Sequence, residues 1–211
     1  MKSAAFRTDP LLLRNRQFMT GEFDIPFVYA QNIDISKIAL IGFDKTRHLE
    51  LSSARRAKTV HFFLDDYKFD EVWNKPEKQI HRLRQYTQVL SPDFSLYADM
   101  PEPLQVYNTF RNRWCAAVWQ AARMAVIPTI SWGSDNTFDF CFDGIETGSV
   151  VAVSTVGTQL FKEYFMRGYT EMCLRLDPKF VIVYGSVYEH MTEFADIVSV
   201  PYSHGSNTKE S

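Results

Sequence analysis

Apolar and polar positions along the chain fall into repeated blocks, in which a short apolar run is followed by polar residues and then by a longer amphipathic segment. The six apolar runs cover residues 37–43, 59–64, 94–98, 125–132, 149–153 and 180–184. Several of them are apolar nearly throughout instead of alternating. Because strands that are covered on both faces have this pattern, the runs predict buried strands of a mostly parallel sheet.

The segments between the apolar runs have the spacing of helices. In the segment between the runs at 94–98 and 125–132, apolar residues recur at every fourth position, at Val106, Phe110, Trp114 and Val118. Helices are predicted over about 74–86, with Asn74 as the cap, and over about 103–123 and 158–176. Gly168 interrupts the last of these, which indicates either close packing or a helix break at that point. The connection 45–58 has room for only a short helix.

These repeated strand-helix units predict an α/β fold with a mostly parallel sheet. Two architectures fit the order of the units, namely an incomplete, (β/α) barrel-like form and an open doubly wound sheet. We favour the barrel-like form because the units follow one another without an obvious reversal. The prediction is a single α/β domain over residues 1–211, with a loose N-terminal segment at 1–32 and a frayed tail at 202–211.

Two local patterns lie outside the repeated units. The segment 138–145 (FDFCFDGI) alternates aromatic residues with Asp139, Cys141 and Asp143, which predicts a short strand or hairpin arm that leads to a turn at Asp143-Gly144. Near the N-terminus, residues 10–18 indicate a short helix and residues 23–30 an extended stretch. Cys141 has no histidine near it in sequence, so a buried thiol is favoured there over a nucleophile.

Composition and charge narrow the class of protein. The 211 residues are 45% hydrophobic and carry a net charge of −2, which indicates a substantial core and gives no global attraction to nucleic acid or to an anionic membrane. The three cysteines show no CxxC spacing and indicate reduced thiols. No apolar stretch near the N-terminus is long enough for a signal peptide or a membrane span. A soluble, cytoplasmic protein is therefore predicted.

The most distinctive string is residues 127–158, IPTISWGSDNTFDFCFDGIETGSVVAVSTVGT, followed by FMRGYTEM at 165–172 and FVIVYG at 180–185. With Arg14-Asn15 and the FDIP segment at 23–26, this string resembles the domain-of-unknown-function family 4417 of bacteria, phages and mobile elements. The resemblance extends over nearly the whole chain. It implies a shared fold and a phage or mobile-element origin, but no reaction and no catalytic residues.

Acidic residues follow most of the predicted strands, and they would share one rim of a parallel sheet: Asp44, Asp65, Asp66, Asp99 and Asp135. Paired carboxylates can divide acid and base roles, and they can also hold Mg²⁺, so Mg²⁺ is a candidate cofactor. Asp66, Asp99 and Asp135 are the predicted catalytic residues. The alternative for each Asp is a helix cap or a turn. The five histidines are scattered without ligand spacing, so no zinc site is predicted.

Seven further residues are predicted to bind a ligand: Trp132, Gly133, Ser154, Thr155, Gly157, Arg111 and Tyr184. Trp132 offers a flat surface for a sugar or base, and Gly133 allows close approach of the backbone. The STVGT loop at 154–158 is similar to an anion cradle, although an ordinary helix cap fits it as well. Arg111 suits either a ligand clamp or a solvated helix face.

The function predicted first is an enzyme that acts on a small phosphorylated, nucleotide-like or glycosidic ligand by acid–base hydrolysis or lyase chemistry. The alternative is a non-enzymatic phage or mobile-element module that binds a nucleotide signal or a host protein. Nucleic acid is disfavoured as a partner, because the Arg55-Arg56 and 111–113 basic clusters are small. No membrane partner is predicted.

Overall fold

The computed structural model describes residues 18–36, 38–47 and 53–202. These residues form seven strands: β1 (Leu40–Gly42), β2 (Thr59–His61), β3 (Gln88–Leu90), β4 (Val126–Ile127), β5 (Val150–Ser154), β6 (Phe180–Tyr184) and β7 (Ile197–Val200). They pair as two parallel sheets, β1-β2-β3-β4 and β5-β6-β7. The α/β fold with a mostly parallel sheet is thus confirmed.

A short bridge beyond the end of β4 joins the two sheets. Thr129 lies opposite Ala152 of β5, and the flanking N–H groups of Ile130 and Ala152 donate to the carbonyls of Ala152 and Pro128 at 2.9 Å each. The strands therefore follow one another in chain order without a reversal. Among the described residues β1 does not pair with β7, so the sheet is open and the barrel is not closed.

The sheet is strongly curved, as contacts between distant strands show. The ring of Tyr184, at the end of β6, stacks on that of Phe63, just after β2, with centroids 5.3 Å apart. It also lies 4.8 Å from the ring of His61 in β2. In a flat sheet, strands four positions apart would be separated by about 19 Å. The carboxyl ends of β2 and β6 have therefore curled towards each other.

Both faces of the curved sheet are buried, which explains why its strands are apolar nearly throughout. Val181 and Val183 of β6 pack in the larger core, on the side of the helices, whereas Ile182 packs on the inner side with Leu90 and Ile127. Successive residues of a strand point to opposite faces, so a strand needs apolar side chains at both sets of positions when both are covered.

The outer layer is formed by five α-helices in the described part of the chain: α1 (Ser53–Arg56), α2 (Glu71–Asn74), α3 (Pro76–Leu83), α4 (Glu102–Ala121) and α5 (Lys162–Leu176). The predicted helices at 103–123 and 158–176 are confirmed as α4 and as a 3-10 turn (Gln159–Phe161) that leads into α5. None of the helices in these ranges has the length and apolarity needed to cross a bilayer.

One strand was predicted in the wrong place and one was missed. Residues 94–98 run without strand pairing, whereas β3 lies earlier, between β2 and β4. Pro92 follows this strand closely and has no N–H to continue the ladder. The missed strand is β7, whose side chains are only partly buried because it lies at the edge of the sheet.

The helix predicted over 74–86 is present as α3, but Lys75 is its cap, and the predicted cap Asn74 ends α2 instead. The strand or hairpin arm predicted in the aromatic segment 138–145 was wrong, because this segment begins at the end of a 3-10 turn (Asp135–Asp139). The turn predicted at Asp143-Gly144 is confirmed, and Gly144 has φ of 72° there. The extended stretch at 23–30 is tied down by a bridge between Val28 and Ile145. The helix predicted at 10–18 lies outside the described residues, except for its last position.

Candidate functional site

Two adjoining cavities form a groove at the carboxyl ends of the strands. The first, of about 770 Å³, lies beyond β3, β4 and β5 and is called here the aromatic cavity. The second, of about 1100 Å³, lies at the ends of β1, β2, β6 and β7, extends along β1 to residues that precede β1 and β2, and is called the basic cavity. Asp93, Ser154 and Val156 line both of them, so the two cavities meet at these residues. Ligands of parallel α/β proteins bind at this edge of the sheet.

The aromatic cavity is walled mainly by rings: Tyr97, Trp132, Phe161, Tyr164 and Phe165. The position of the Trp132 indole in this wall depends on Gly168 in α5, because a Cβ at residue 168 would lie less than 3 Å from the indole Nε1. The indole packs against Phe165 with ring centroids 5.0 Å apart. Close packing is therefore the role of Gly168, and α5 continues through it without a break.

The basic cavity carries four cationic side chains: Lys45, Arg55, Lys58 and Lys68. Asp44 and Asp65 lie on the same lining, and Asp65 forms an ion pair with Lys68 at 2.8 Å. The aromatic cavity, by contrast, has only Asp93 and Asp99 as charged lining residues in the described part of the chain. The groove thus has one cationic and one apolar half.

Asp93 lies at the junction of the two halves. Its carboxyl oxygen Oδ1 is buried and has no hydrogen-bond partner among the described residues. Burial is the main reason that the pKa of Asp93 is raised to about 7; a hydrogen bond with Ser131 and the positive charge of Arg113 oppose this rise, whereas the negative charge of Asp66 favours it. A carboxyl group in this position exists in both protonation states near neutral pH.

A buried polar network near Asp93 holds the ends of β3 and β4. The Ser91 hydroxyl donates to Asn112 Oδ1 at 2.7 Å and accepts from the Thr129 N–H at 2.7 Å. Arg113 donates to the same Asn112 oxygen and to the carbonyls of Thr129 and Cys141. The network fixes α4 against the ends of β3 and β4. Burial also lowers the pKa of Arg113 to about 10.

His61 contributes a neutral ring to the basic cavity. Its Nδ1 accepts the Phe63 N–H at 3.2 Å, and burial lowers the pKa of His61 to about 4, against an opposing effect of the Asp44 charge. The ring is therefore neutral at pH 7 and carries its proton on Nε2. Such an imidazole can donate a hydrogen bond but does not add positive charge.

Six of the predicted site residues line the groove. Five of them line the aromatic cavity: Asp99, Trp132, Gly133, Ser154 and Gly157. Tyr184 lines the basic cavity, which Ser154 also reaches. The rest of the STVGT loop is engaged internally. Thr155 is buried, and its N–H donates to the Tyr184 carbonyl at 3.0 Å. The Ser154 hydroxyl accepts the Val156 N–H at 3.2 Å.

The predicted residues Asp66, Arg111 and Asp135 do not line either cavity. Asp66 accepts hydrogen bonds from the N–H and hydroxyl of Ser95 and lies 3.9 Å from the Arg111 guanidinium. That guanidinium also stacks 3.8 Å above the Phe94 ring. Asp135 is exposed and pairs with Arg167 at 2.7 Å. In this structure all three are engaged with neighbouring side chains instead of the groove.

The five carboxylates predicted to share one rim are spread along it. Asp44 and Asp65 reach the basic cavity and Asp99 reaches the aromatic cavity. In the described ranges no group of three or more His, Cys, Asp or Glu side chains is arranged to hold a metal ion. Of the three residues that line both cavities, Ser154 is among the predicted site residues and Asp93 is not, because the sequence pattern places the strand at 94–98. Placing the strand at 88–90 would have put Asp93 among the residues that follow it.

A curved, open parallel α/β sheet with a ligand-sized groove at its carboxyl edge is the class of protein that the fold and the site define. The chain belongs to the family Domain of unknown function (DUF4417), whose profile matches residues 18–201. The predicted family is thereby confirmed. No solved structure gives a significant match to the chain.

Two phage proteins are similar to the chain. The Gene 1 protein of Mycobacterium phage L5 is 38% identical over 182 residues, which cover 85% of this chain and 78% of the phage protein. The Gene 1 protein of Mycobacterium phage D29 is 41% identical over 149 residues, which cover 69% of this chain and only 55% of that relative. The association with phages, expected from the sequence, is therefore confirmed.

Proposed function

We propose that the protein is an enzyme that acts on a small phosphorylated or nucleotide-like ligand by acid–base chemistry, with Asp93 as the group that transfers the proton. The observation that carries this proposal is the position of Asp93, which lines both halves of the groove and has a buried, unpartnered carboxyl oxygen. A pKa of about 7 lets the same carboxyl both accept and return a proton at neutral pH.

In a hydrolysis, the Asp93 carboxylate would remove a proton from a water molecule as the water oxygen attacks the ligand. The resulting carboxylic acid would then give that proton to the leaving group as its bond breaks. In a lyase reaction the proton would instead come from a carbon of the ligand. The hydroxyl groups of Ser131 and Ser154 lie on the same lining and could orient either the water or the ligand.

The predicted catalytic carboxylates take different parts in this proposal. Asp99 lines the aromatic cavity and is the second carboxylate available to a ligand there. Asp66 acts indirectly, because it adds negative charge near Asp93 and fixes Ser95 in the loop after β3. Asp135 supports α5 through Arg167. Mg²⁺, which the sequence predicts as a candidate cofactor, stays a prediction.

The test compares the protein with its Asp93→Asn and Asp93→Ala variants. Each is incubated with a panel of nucleotides and sugar phosphates, and products are followed by mass spectrometry and ³¹P NMR. Asp93→Asn should stop turnover while ligands still raise the melting temperature. The matched control is Asp196→Asn, since Asp196 is an exposed carboxylate before β7, at the opposite end of the sheet. Turnover at the original rate in Asp93→Asn would refute the role of Asp93.

A second candidate function, a non-enzymatic module that binds a nucleotide signal and a phage or host protein, is favoured by a different observation. Leu160 and Phe161 are 90% and 65% exposed beside the groove, and Phe161 also lines the aromatic cavity. Large apolar side chains that are exposed together are typical of protein-binding surfaces. This function predicts that a bound ligand is released chemically unchanged after long incubation, whereas the enzyme proposed first would process it.

A further inference from the structure

We propose that the ligand is a nucleoside monophosphate or a close analogue, which spans both halves of the groove with its phosphate in the basic cavity and its flat base in the aromatic cavity. The inference rests on the proposed function only in taking this groove as the ligand site, and it does not require turnover. Because Asp93, Ser154 and Val156 line both cavities, a single ligand can extend from one to the other past these residues.

The charges of the basic cavity suit a phosphate. Of its four cationic residues, Lys68 pairs with Asp65 at 2.8 Å, and Arg55 and Lys58 precede β2 and so lie towards its amino end. Lys45, which follows β1, is therefore the lysine best placed to attract a dianion at the carboxyl edge. A phosphate monoester carries nearly two negative charges at pH 7 and accepts several hydrogen bonds. The Nε2–H of neutral His61 supplies one further donor on the same lining.

The other half suits a planar base better than a sugar. Rings make up much of its lining, and apart from the ring residues its polar lining side chains are Asp93, Asp99, Ser131, Ser154 and Thr158. A sugar presents many hydroxyl groups that each need a partner on burial, whereas a base buries a flat apolar face on aromatic rings. The Asp99 carboxylate is exposed at the lining and can accept an N–H from the edge of a base.

This orientation differs from the anion cradle predicted at residues 154–158. In that loop Thr155 is buried against the Tyr184 carbonyl, and the Ser154 hydroxyl is bonded to the Val156 N–H. These groups stabilise the loop itself, so they have less capacity for a phosphate than Lys45 across the groove. Ser154 would contact the ribose, at the junction of the cavities.

The orientation is tested by isothermal titration calorimetry with three kinds of probe, namely the four ribonucleoside 5′-monophosphates, the matching nucleosides and ribose 5-phosphate. At least one monophosphate should bind about tenfold or more tightly than both its nucleoside and ribose 5-phosphate, because only the intact molecule fills both cavities. Binding should also weaken as salt is added, since the phosphate contact is electrostatic.

Two variants assign the two ends. Lys45→Ala should weaken the monophosphate about tenfold or more and leave nucleoside binding unchanged. Lys179→Ala is the matched control, because Lys179 is exposed just before β6, at the other end of the sheet. Tyr97→Ala should weaken the monophosphate and the nucleoside alike. Tyr97 is chosen because it is 61% exposed and its loss does not open the core.

Each outcome decides one question. If no monophosphate binds, or if nucleoside and monophosphate bind equally well, the inference is wrong. If Lys45→Ala binds the monophosphate as tightly as the original protein, the assigned orientation is wrong. Binding with the expected pattern but without any turnover supports this inference and contradicts only the proposed enzymatic function, so the two failures can be told apart.

Discussion

The indole of Trp132 lies directly over the backbone of Gly168, in space that any larger residue of α5 would need. Gly168→Ala should therefore lower the free energy of unfolding by about 1–2 kcal/mol, because overpacking outweighs the roughly 1 kcal/mol that Ala gains over Gly in a helix. Urea denaturation measures this difference. In a Trp132→Leu background the same change should be neutral or stabilising, and an equal loss in both backgrounds would contradict the contact.

Asp93 should make the folded protein less stable as pH rises. The folded protein holds this proton up to about pH 7, whereas the unfolded chain loses it near 3.8, so between these values the folded state binds more protons and stability falls with increasing pH. Asp93→Asn removes the effect. Relative to the original protein, this variant should gain up to about 4 kcal/mol between pH 4 and pH 8, because each pH unit between the two pKa values contributes about 1.4 kcal/mol. An unchanged difference across that range would show that the Asp93 pKa is not raised.

His61 should have the opposite pH dependence. Its folded pKa of about 4 lies below the ordinary value of 6.5, so the unfolded chain binds more protons between these values and stability falls as pH drops through them. His61→Gln should therefore lose less stability on acidification from pH 7 to pH 4 than the original protein does. The measurement is the free energy of unfolding in urea at each pH, with His81→Gln, at an exposed position of α3, as the control variant.

Asp143 should prove structural. Its carboxylate accepts the N–H groups of Phe23 at 2.9 Å, of Gly144 at 2.8 Å and of Glu22 at 3.2 Å, which ties the N-terminal segment to the turn after the 3-10 helix. Asp143→Ala should cost about 1–3 kcal/mol and speed proteolysis near residues 21–24. Asp143→Asn, which keeps one acceptor oxygen, should cost less. Ligand binding in the groove should be unaffected in both variants.

Substitution of Asp66 should affect the stability of the fold, whereas substitution of Asp99 should affect ligand binding. Asp66→Ala should lower the free energy of unfolding by about 1–2 kcal/mol, because the Ser95 N–H and hydroxyl lose their acceptor. Asp99→Ala should change stability by less than about 0.5 kcal/mol, since this carboxylate is exposed, and should alter only ligand binding. If Asp66→Ala instead altered only ligand binding and Asp99→Ala altered only stability, Asp66 would belong to the ligand site and Asp99 would not.

The sequence by itself determined the repeated strand-helix units, the parallel sheet and the family. These follow from local patterns, because a strand buried on both faces must be apolar at successive positions, as in Phe180–Tyr184, and the apolar residues at every fourth position of α4, from Val106 to Val118, pack in or against the core. The same patterns placed Trp132 and Ser154 at strand ends, where the structure has them lining the groove.

Only the tertiary structure decided which polar residues share the site. The strand order brings Lys45 and Tyr184 to one cavity although they are far apart in the chain, and curvature of the sheet sets His61 beside Tyr184. The pKa of Asp93 is likewise a property of its burial, which no local pattern encodes. Sequence spacing gives the face or the end on which a residue lies, whereas its neighbours and its exposure to water depend on how the whole sheet curves.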